Sequence, residues 1–444
     1  MTQRTTWTIG ERHTWSAHGG FAETPADTLD SCGRLVTRIA AALHKTGATE
    51  GTVLVDERVA RRLGLLDPAT NDGRSQRALD SAAQAGWRHS TNIGPWTSFF
   101  AKERPSVYIG QLSWLNRAEH TWWPFHAPFP ADVVTALQAF HDLTGVAWQA
   151  GAPVMGVELM FRTLTSYQVQ GQKGRRRPDL RDDMTPDEAG VSMWSPESWH
   201  RPSLHPYQHS YDKRRAGITA AGVAKLSPAK LVRGRRLFDP KRAGWWLVTV
   251  PPWNVPEMPH PLGPGAADVA RRVGGANRLW VTTAHLDVAE ELAEAGKISM
   301  PDVIDSLTGP ARPVLQPFQA AIERAYQAPI AGDYDDVAQG LVRGAVKDAG
   351  TTGIGMLNKA DGDSSIWRPD WYAGVNATKQ CNSWRTAWRI GNEEGRWPIA
   401  FSDDAIWYGS DDDDAERAAP RALDLRNDVP GAYRAEATVE RIST

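Results

Sequence analysis

Residues 397–408 read Trp-Pro-Ile-Ala-Phe-Ser-Asp-Asp-Ala-Ile-Trp-Tyr, and no other stretch constrains this chain as much. Trp397, Ile399 and Phe401 alternate, the alternation breaks at Ser402-Asp403-Asp404, and it resumes at Ile406 and Tyr408. Period-two alternation on both sides of a short polar turn predicts a β-hairpin with one face on a core. The turn then seats adjacent carboxylates at the edge of apolar strands, a costly place unless something cationic lies beside them. Two strand-end carboxylates suit Mg²⁺. The plainer alternative is an acidic turn in solvent.

The chain has 444 residues, enough for two or three domains with cores of their own. A hydrophobic share of 41% and a charged share of 23% are those of an ordinary globular protein. No apolar run approaches the roughly 18 residues of a membrane helix, and the first residues lack a signal-peptide core, so no membrane partner is expected. Two cysteines, Cys32 and Cys381, build neither a disulfide framework nor a zinc site, which points to a reducing cytoplasm. The net charge of −2 hides segregation: residues 173–181, 213–215 and 230–242 are basic, and 403–414 are acidic. Such segregation permits binding to a polyanion without a high isoelectric point. Twenty tryptophans suffice for a core and for some stacking platforms for bases.

In chain order, Leu29, Cys32, Leu35, Ile39 and Leu43 predict a helix over residues 28–45. Residues 53–66, a polar turn and a helix over 75–85 suggest a helix-turn-helix, with strands at 87–90 and 107–112 as its wing or as the first strands of a small sheet. Residues 106–165 have the strand–strand–helix rhythm of a nuclease-like α/β unit: strands at 107–114 and 121–125, then a helix over 130–144. A metal-dependent nuclease needs an acid in its first strand, and residues 110–116 hold none, so that unit is expected to be catalytically empty. Arginine-rich residues 170–195 read as a linker or as an arm along a phosphate backbone.

Tyr207, His209 and Tyr211 alternate in a strand that ends on Asp212, followed by Lys213-Arg214-Arg215. His200, His205 and His209 lack acid or cysteine partners for a metal and read as half-exposed strand histidines. A helix over 333–349 carries Gln339, Arg343 and Lys347 in one stripe and runs into Gly350-Thr-Thr-Gly-Ile-Gly355, read as a glycine-rich turn. The clearest helix spans 370–390. Asp370 is its expected N-cap and Gly391 its stop; Trp371, Val375, Thr378, Cys381, Trp384 and Trp388 form the buried stripe, with Lys379, Arg385 and Arg389 as decoration.

Three separated segments thus share one pattern: a strand ending Tyr211-Asp212, a helix with Lys347 leading into Thr351-Thr352-Gly353-Ile354-Gly355, and a hairpin turning at Ser402-Asp403-Asp404. Their order resembles the palm and fingers motifs of family B DNA polymerases, especially the viral, protein-primed branch. The Lys347 to Gly355 spacing matches the fingers motif, and Pro430-Gly-Ala-Tyr-Arg434 looks like the strand that follows the hairpin there. A similar layout belongs to replication- or telomere-associated proteins of linear replicons and their phages.

The resemblance implies an α+β chain: a palm over 196–444 with helical fingers inserted at about 300–365, and no full thumb after Arg434. Before it lie a helical, winged-helix-like region over 1–100 and a degenerate exonuclease-like α/β region over 101–195. It implies two-metal nucleotidyl transfer onto a nucleic-acid or protein primer, with Mg²⁺ or Mn²⁺ held by Asp212 and Asp404, and Asp403 as helper or bystander in solvent. Lys347, with Arg343, would neutralise the triphosphate, and Thr351, Thr352 and Gly217 would line the nucleotide. Lys213, Arg214, Arg215 and Arg434 would follow the primer backbone. Partners would be DNA, nucleoside triphosphates and a terminal or other replication protein. Three positions depart from the family: Ser402 replaces an acid, Ile354 a stacking tyrosine, and Gly217 the tyrosine that blocks a ribose 2′-hydroxyl. An open Gly217 implies ribonucleotide tolerance, as in a primase or terminal transferase. The alternative is a catalytically inactive, nucleic-acid-binding scaffold.

Overall fold

The computed structural model describes residues 4–9, 13–16, 20–23, 30–65, 76–93, 96–111, 130–146, 148, 152–164, 182, 185–186, 199–234, 236–271, 277–328, 336–359, 366–426 and 429–440. The arginine-rich segment around 173–181 and the strand expected at 121–125 lie outside them. Two compact units emerge: Met1–Met160 with Ala321–Gly353, and Phe161–Ala320 with Ile354–Thr444. These lines differ from the three consecutive regions read from the sequence.

The first unit contains β1 (Arg4–Ile9), β2 (His13–Ser16), β3 (Gly20–Glu23), α1 (Cys32–Lys45), β4 (Glu50–Val55), α2 (Glu57–Leu63), α3 (Gln76–Gln84), β5 (Arg88–Ile93), β6 (Trp96–Phe100), β7 (Ser106–Gln111), α4 (Pro130–Thr144) and most of α5 (Ala152–Leu164). The seven strands form one sheet in the order β3-β2-β1-β4-β7-β6-β5, with β1, β4 and β7 parallel. Central β4 is buried along nearly its whole length, Thr52 included, because both of its faces are covered. Its Val53 and Val55 share a core with Leu35, Val36, Ile39 and Leu43 of α1, which Ser31 caps by accepting from Arg34 N at 3.3 Å.

This sheet overturns the winged-helix reading. The segment before α2 is a central parallel strand, and β5, β6 and β7 extend the same sheet rather than forming a wing. The α/β unit also begins about a hundred residues earlier than expected, at β1, whose Arg-Thr-Thr-Trp-Thr-Ile positions carry no acid either.

In the second unit, β8 (Tyr207–Lys213) and α6 (Ala216–Val223) precede β9 (Val232–Arg233), β10 (Arg242–Thr249), α7 (Pro264–Arg271), β11 (Arg278–Thr282), α8 (Thr283–Glu294) and β12 (Val303–Pro310). Helices α9 (Gln316–Gln327) and α10 (Asp336–Met356) run across the division between units. Then follow α11 (Pro369–Glu394), β13 (Ala400–Ser402), β14 (Ala405–Ser410) and β15 (Tyr433–Glu440). One antiparallel sheet runs β11-β10-β12-β9, the other β13-β14-β8-β15. The second is backed by Cys381, Trp384, Ala387 and Ile390 of α11, which pack on Tyr211, Phe401, Ile406 and Tyr408.

Two helix boundaries differ from expectation. Asp370 is not the N-cap of α11; Arg368 is, with Pro369 as the first helical residue. The Asp370 carboxylate instead accepts from Arg368 Nε and Nη2 at 2.8 and 2.7 Å, with both side chains 3% exposed. Gly391 does not end the helix, which continues to Gly395 at φ 67°. Gly391 is there for its missing side chain: a Cβ would stand 2.2 Å from Trp397 Cε3.

The glycine-rich turn at 350–355 is also not a turn. Those residues continue α10, because glycine's weak helix propensity is overridden by packing. A Cβ on Gly353 would meet Gly156 Cα at 2.8 Å, so the bare backbones let α10 cross α5 closely.

Candidate functional site

The hairpin forms where the alternation places it. β13 and β14 pair Phe401 with Ile406 and Ser402 with Ala405, leaving Asp403-Asp404 as a two-residue turn. Asp403 takes φ 55°, the positive value that primed hairpin turns require at their first central position. Strand β8 pairs Tyr211 with Ile406 on one side and Asp212 with Arg434 on the other. Extending the β14–β8 register by two residues sets Ala405 beside Asp212 and Asp404 beside Lys213. The carboxylates of Asp212, Asp403 and Asp404 therefore gather at one end of one sheet.

Their surroundings differ. Asp212 Oδ2 accepts from Arg434 Nη2 at 2.9 Å, and Oδ1 accepts no hydrogen bond from the described residues. Asp403 faces Lys379 of α11, whose Nζ lies 2.6 Å from both carboxylate oxygens. Of the two contacts only that to Oδ2 has hydrogen-bond geometry, and buried Oδ1 is held by charge alone. Asp404 is partly buried, and its backbone carbonyl accepts from Ser383 Oγ at 3.4 Å. Burial pushes the Asp404 carboxyl up to about 7; Lys379 opposes that rise while the charges of Asp212 and Asp403 add to it. The amine of Lys213 lies 5.6 Å over the Tyr433 ring, and burial lowers its pKa against the pull of Asp404.

The expected residues thus find the following places. Asp212, Asp403, Asp404, Lys213 and Arg434 come together. Arg434 pairs with Asp212 and reaches Glu436 at 3.3 Å. Asp403 is neither a bystander in solvent nor unpaired. Arg214 bonds through its backbone to Ala432 O at 2.8 Å, and Arg215 adopts φ 52° as the N-cap of α6. Gly217 follows in α6, and a Cβ there would meet nothing within 4 Å. Arg343, Lys347, Thr351 and Thr352 lie on α10 within the first unit. Lys347 and Thr351 are exposed, Arg343 lies 5.9 Å over the Tyr326 ring, and Thr352 Oγ1 donates to Asp348 O at 2.6 Å. His209 is fully buried between Thr438 Oγ1 and Asp412 O, not half-exposed. Among the described residues no three His, Cys, Asp or Glu side chains are grouped as a metal cage.

Sequence reasoning missed Lys379. The signal was present: Trp371, Val375, Lys379, Ser383 and Ala387 form an i, i+4 ridge that is buried throughout. A lysine on such a ridge requires an acid from another element.

No protein-family model matches the chain, and no curated protein matches it. Among solved structures, it is similar to Phi29 DNA polymerase complexed with primer-template DNA and incoming nucleotides, with TM-score 0.48 and 9% identity over 99% of this chain and 85% of that one. The same polymerase with single-stranded DNA gives 0.45 at 9% identity, and its orthorhombic crystal form 0.44 at 10%, with the same coverage. At such values the case for the site stands on its own side chains.

Proposed function

We propose that this chain is a polymerase-like nucleotidyltransferase with Asp212 and Asp404 at its reactive centre. The observation that carries this reading is the meeting of these two carboxylates at one end of the β13-β14-β8-β15 sheet, near enough that the charge of Asp212 raises the pKa of Asp404. Their hard oxygen donors fit Mg²⁺ or Mn²⁺, and a divalent ion would relieve the repulsion between them. When bound, such an ion activates a 3′-hydroxyl and offsets charge on the triphosphate.

In the reaction the hydroxyl oxygen bonds to the α-phosphorus, its proton leaves to solvent, and the bond to the β-phosphate oxygen breaks to release pyrophosphate. Lys213, Arg214 and Arg215 would position the primer backbone. The primer is nucleic acid or protein. The open space at Gly217 supports tolerance of ribonucleotides, and replication of a linear or mobile DNA is the setting this chemistry suits.

Primer extension with Mg²⁺ or Mn²⁺ tests the reading. Incorporation is expected from the wild type and its loss from Asp404→Ala; unchanged incorporation by that variant would retire the assignment. One observation favours a second reading, a binding scaffold without catalysis: Arg434 and Lys379 already neutralise Asp212 and Asp403. That protein would bind DNA with an affinity that falls steeply with salt and needs neither metal nor triphosphate.

A further inference from the structure

The basic cluster at residues 230–242 takes no part in the carboxylate site, which belongs to the other sheet of the second unit. The cluster holds six Lys or Arg and one acid, Asp239, in a chain whose net charge is −2. Its strand β9 is the outermost of the β11-β10-β12-β9 sheet and pairs only with β12, through Arg233–Leu307 and Val232–Thr308.

The segment is anchored at intervals. Leu231 is buried with Trp245 and Leu307, and its N–H donates to Asp182 Oδ2 at 2.8 Å. Gly234 N donates to Ser306 O at 3.0 Å, and the Phe238 ring packs edge-on against Trp246 with centroids 5.2 Å apart. Two cations are tied to the sheet as well. Arg233 Nε donates to Asp305 Oδ2 at 2.7 Å, and Arg242 Nε and Nη2 donate to Thr308 Oγ1 and O at 3.0 and 2.9 Å.

Lys230, Arg236 and Lys241 differ from these. All three are exposed, and their side chains make no hydrogen bond or ion pair with any described residue. Between them, Val232 is 64% and Leu237 80% exposed. One exposed aliphatic side chain needs no explanation. Two of them among three unpaired cations make a strip that is positive and apolar at once. Because the anchors already hold that strip, little ordering opposes a ligand that binds it. A duplex offers phosphates but keeps its bases stacked inside. An acidic polypeptide offers carboxylates only where its sequence places them. A single strand carries a phosphate at every residue beside base faces open to apolar contact.

We infer that the β9 edge is a binding surface for single-stranded nucleic acid, on which Lys230, Arg236 and Lys241 take phosphates and Val232 and Leu237 take bases. The inference rests on the polymerase-like reading for the presence of nucleic acid, but it is measured without metal or triphosphate.

The experiment is fluorescence anisotropy of a labelled single strand of about 16 nucleotides with the full chain in chelator, over a series of salt concentrations. In the triple variant Lys230→Ser, Arg236→Ser, Lys241→Ser, the slope of log Kd against log salt should fall by about 2, with binding at least tenfold weaker at about 0.1 M salt. Lys45→Ser, Lys102→Ser, Lys297→Ser together remove as many exposed charges elsewhere and should leave both near the wild type. Leu237→Ser should weaken the single strand about threefold and leave a duplex of equal length unchanged. An unchanged slope in the triple variant, or an equal fall in the control, overturns the inference. So does a Leu237→Ser that binds the single strand like the wild type or loses the duplex equally. Poly-glutamate displacing the strand as well as an unlabelled oligonucleotide does would instead assign the surface to an acidic protein. If the triple variant does not fold, the single variants decide, each expected to lower the slope by about 0.7. Strand binding that depends on these cations, without primer extension by the wild type, would retire the nucleotidyltransferase reading alone. Primer extension with an unchanged slope in the triple variant would retire only the strand-binding surface.

Discussion

At the scale of single residues, the site depends on which charges meet. Asp404 was the carboxylate to follow from the hairpin pattern, and it proves to be the one left without a protein cation bonded to its side chain among the described residues. Asp403, one residue earlier, is held by Lys379 because a two-residue turn points successive side chains in different directions. Gly217 belongs to the same scale. Since a Cβ there meets nothing, Gly217→Tyr should fold and place a ring in open space. In primer extension it is expected to raise discrimination against ribonucleotides by about tenfold or more, through a clash with the 2′-hydroxyl. Equal ribonucleotide incorporation before and after the substitution would remove Gly217 from the nucleotide site.

Among the elements, α11 organises the second unit. It buries Cys381, Trp384, Ala387 and Ile390 beneath the sheet, seats Lys379 and Ser383 against the turn, and ends near Trp397, which opens the hairpin. Its run of apolar positions was legible because a 26-residue amphipathic helix repeats its signal many times. In the sequence Lys379 reads as decoration, because a single cation among arginines looks like a solvated face. Gly391 reads as a stop in the sequence because glycine so often ends helices, whereas the Trp397 ring fills the place of its side chain. Alanine normally stabilises a helix interior relative to glycine, but Gly391→Ala should cost about 1–3 kcal/mol by driving Trp397 off the helix. Denaturant unfolding measures the difference; a variant as stable as the wild type or more so would show that Trp397 yields freely.

For the molecule as a whole, the titration of buried groups sets how stability varies with pH. His285 lies in the first turn of α8, fully enclosed, where burial, then Arg385 and His260, bring its pKa down from 6.5 to about 4. Below about 6.5 the unfolded chain takes up a proton that the folded chain refuses until about 4. Stability is therefore undiminished above that window and falls as pH drops through it, by a total on the order of 3 kcal/mol. Urea unfolding at pH 7, 6 and 5 should show the decline, and His285→Gln should flatten it. An equal slope in that variant would assign the effect elsewhere, for instance to His260, whose pKa burial also lowers. At this scale the strands were the least legible elements. β1 and β2 read Arg-Thr-Thr-Trp-Thr-Ile and His-Thr-Trp-Ser, too polar to stand out, and they exist because neighbouring strands complete their hydrogen bonds.

Sequence alone determined what repeats locally: the buried stripe of α11, the alternation of β8, and the hairpin with carboxylates at its tip. These follow from periods of 3.6 and 2.0 residues that hold however the rest of the chain folds. Tertiary structure decided which cation meets which acid. Lys379 and Asp403 are 24 residues apart in the chain, and Arg434 and Asp212 are 222 apart. Charge pairing falls off over a few ångströms, and no local pattern encodes distances between segments so far separated, so only the packed sheet and helix could assign those pairs.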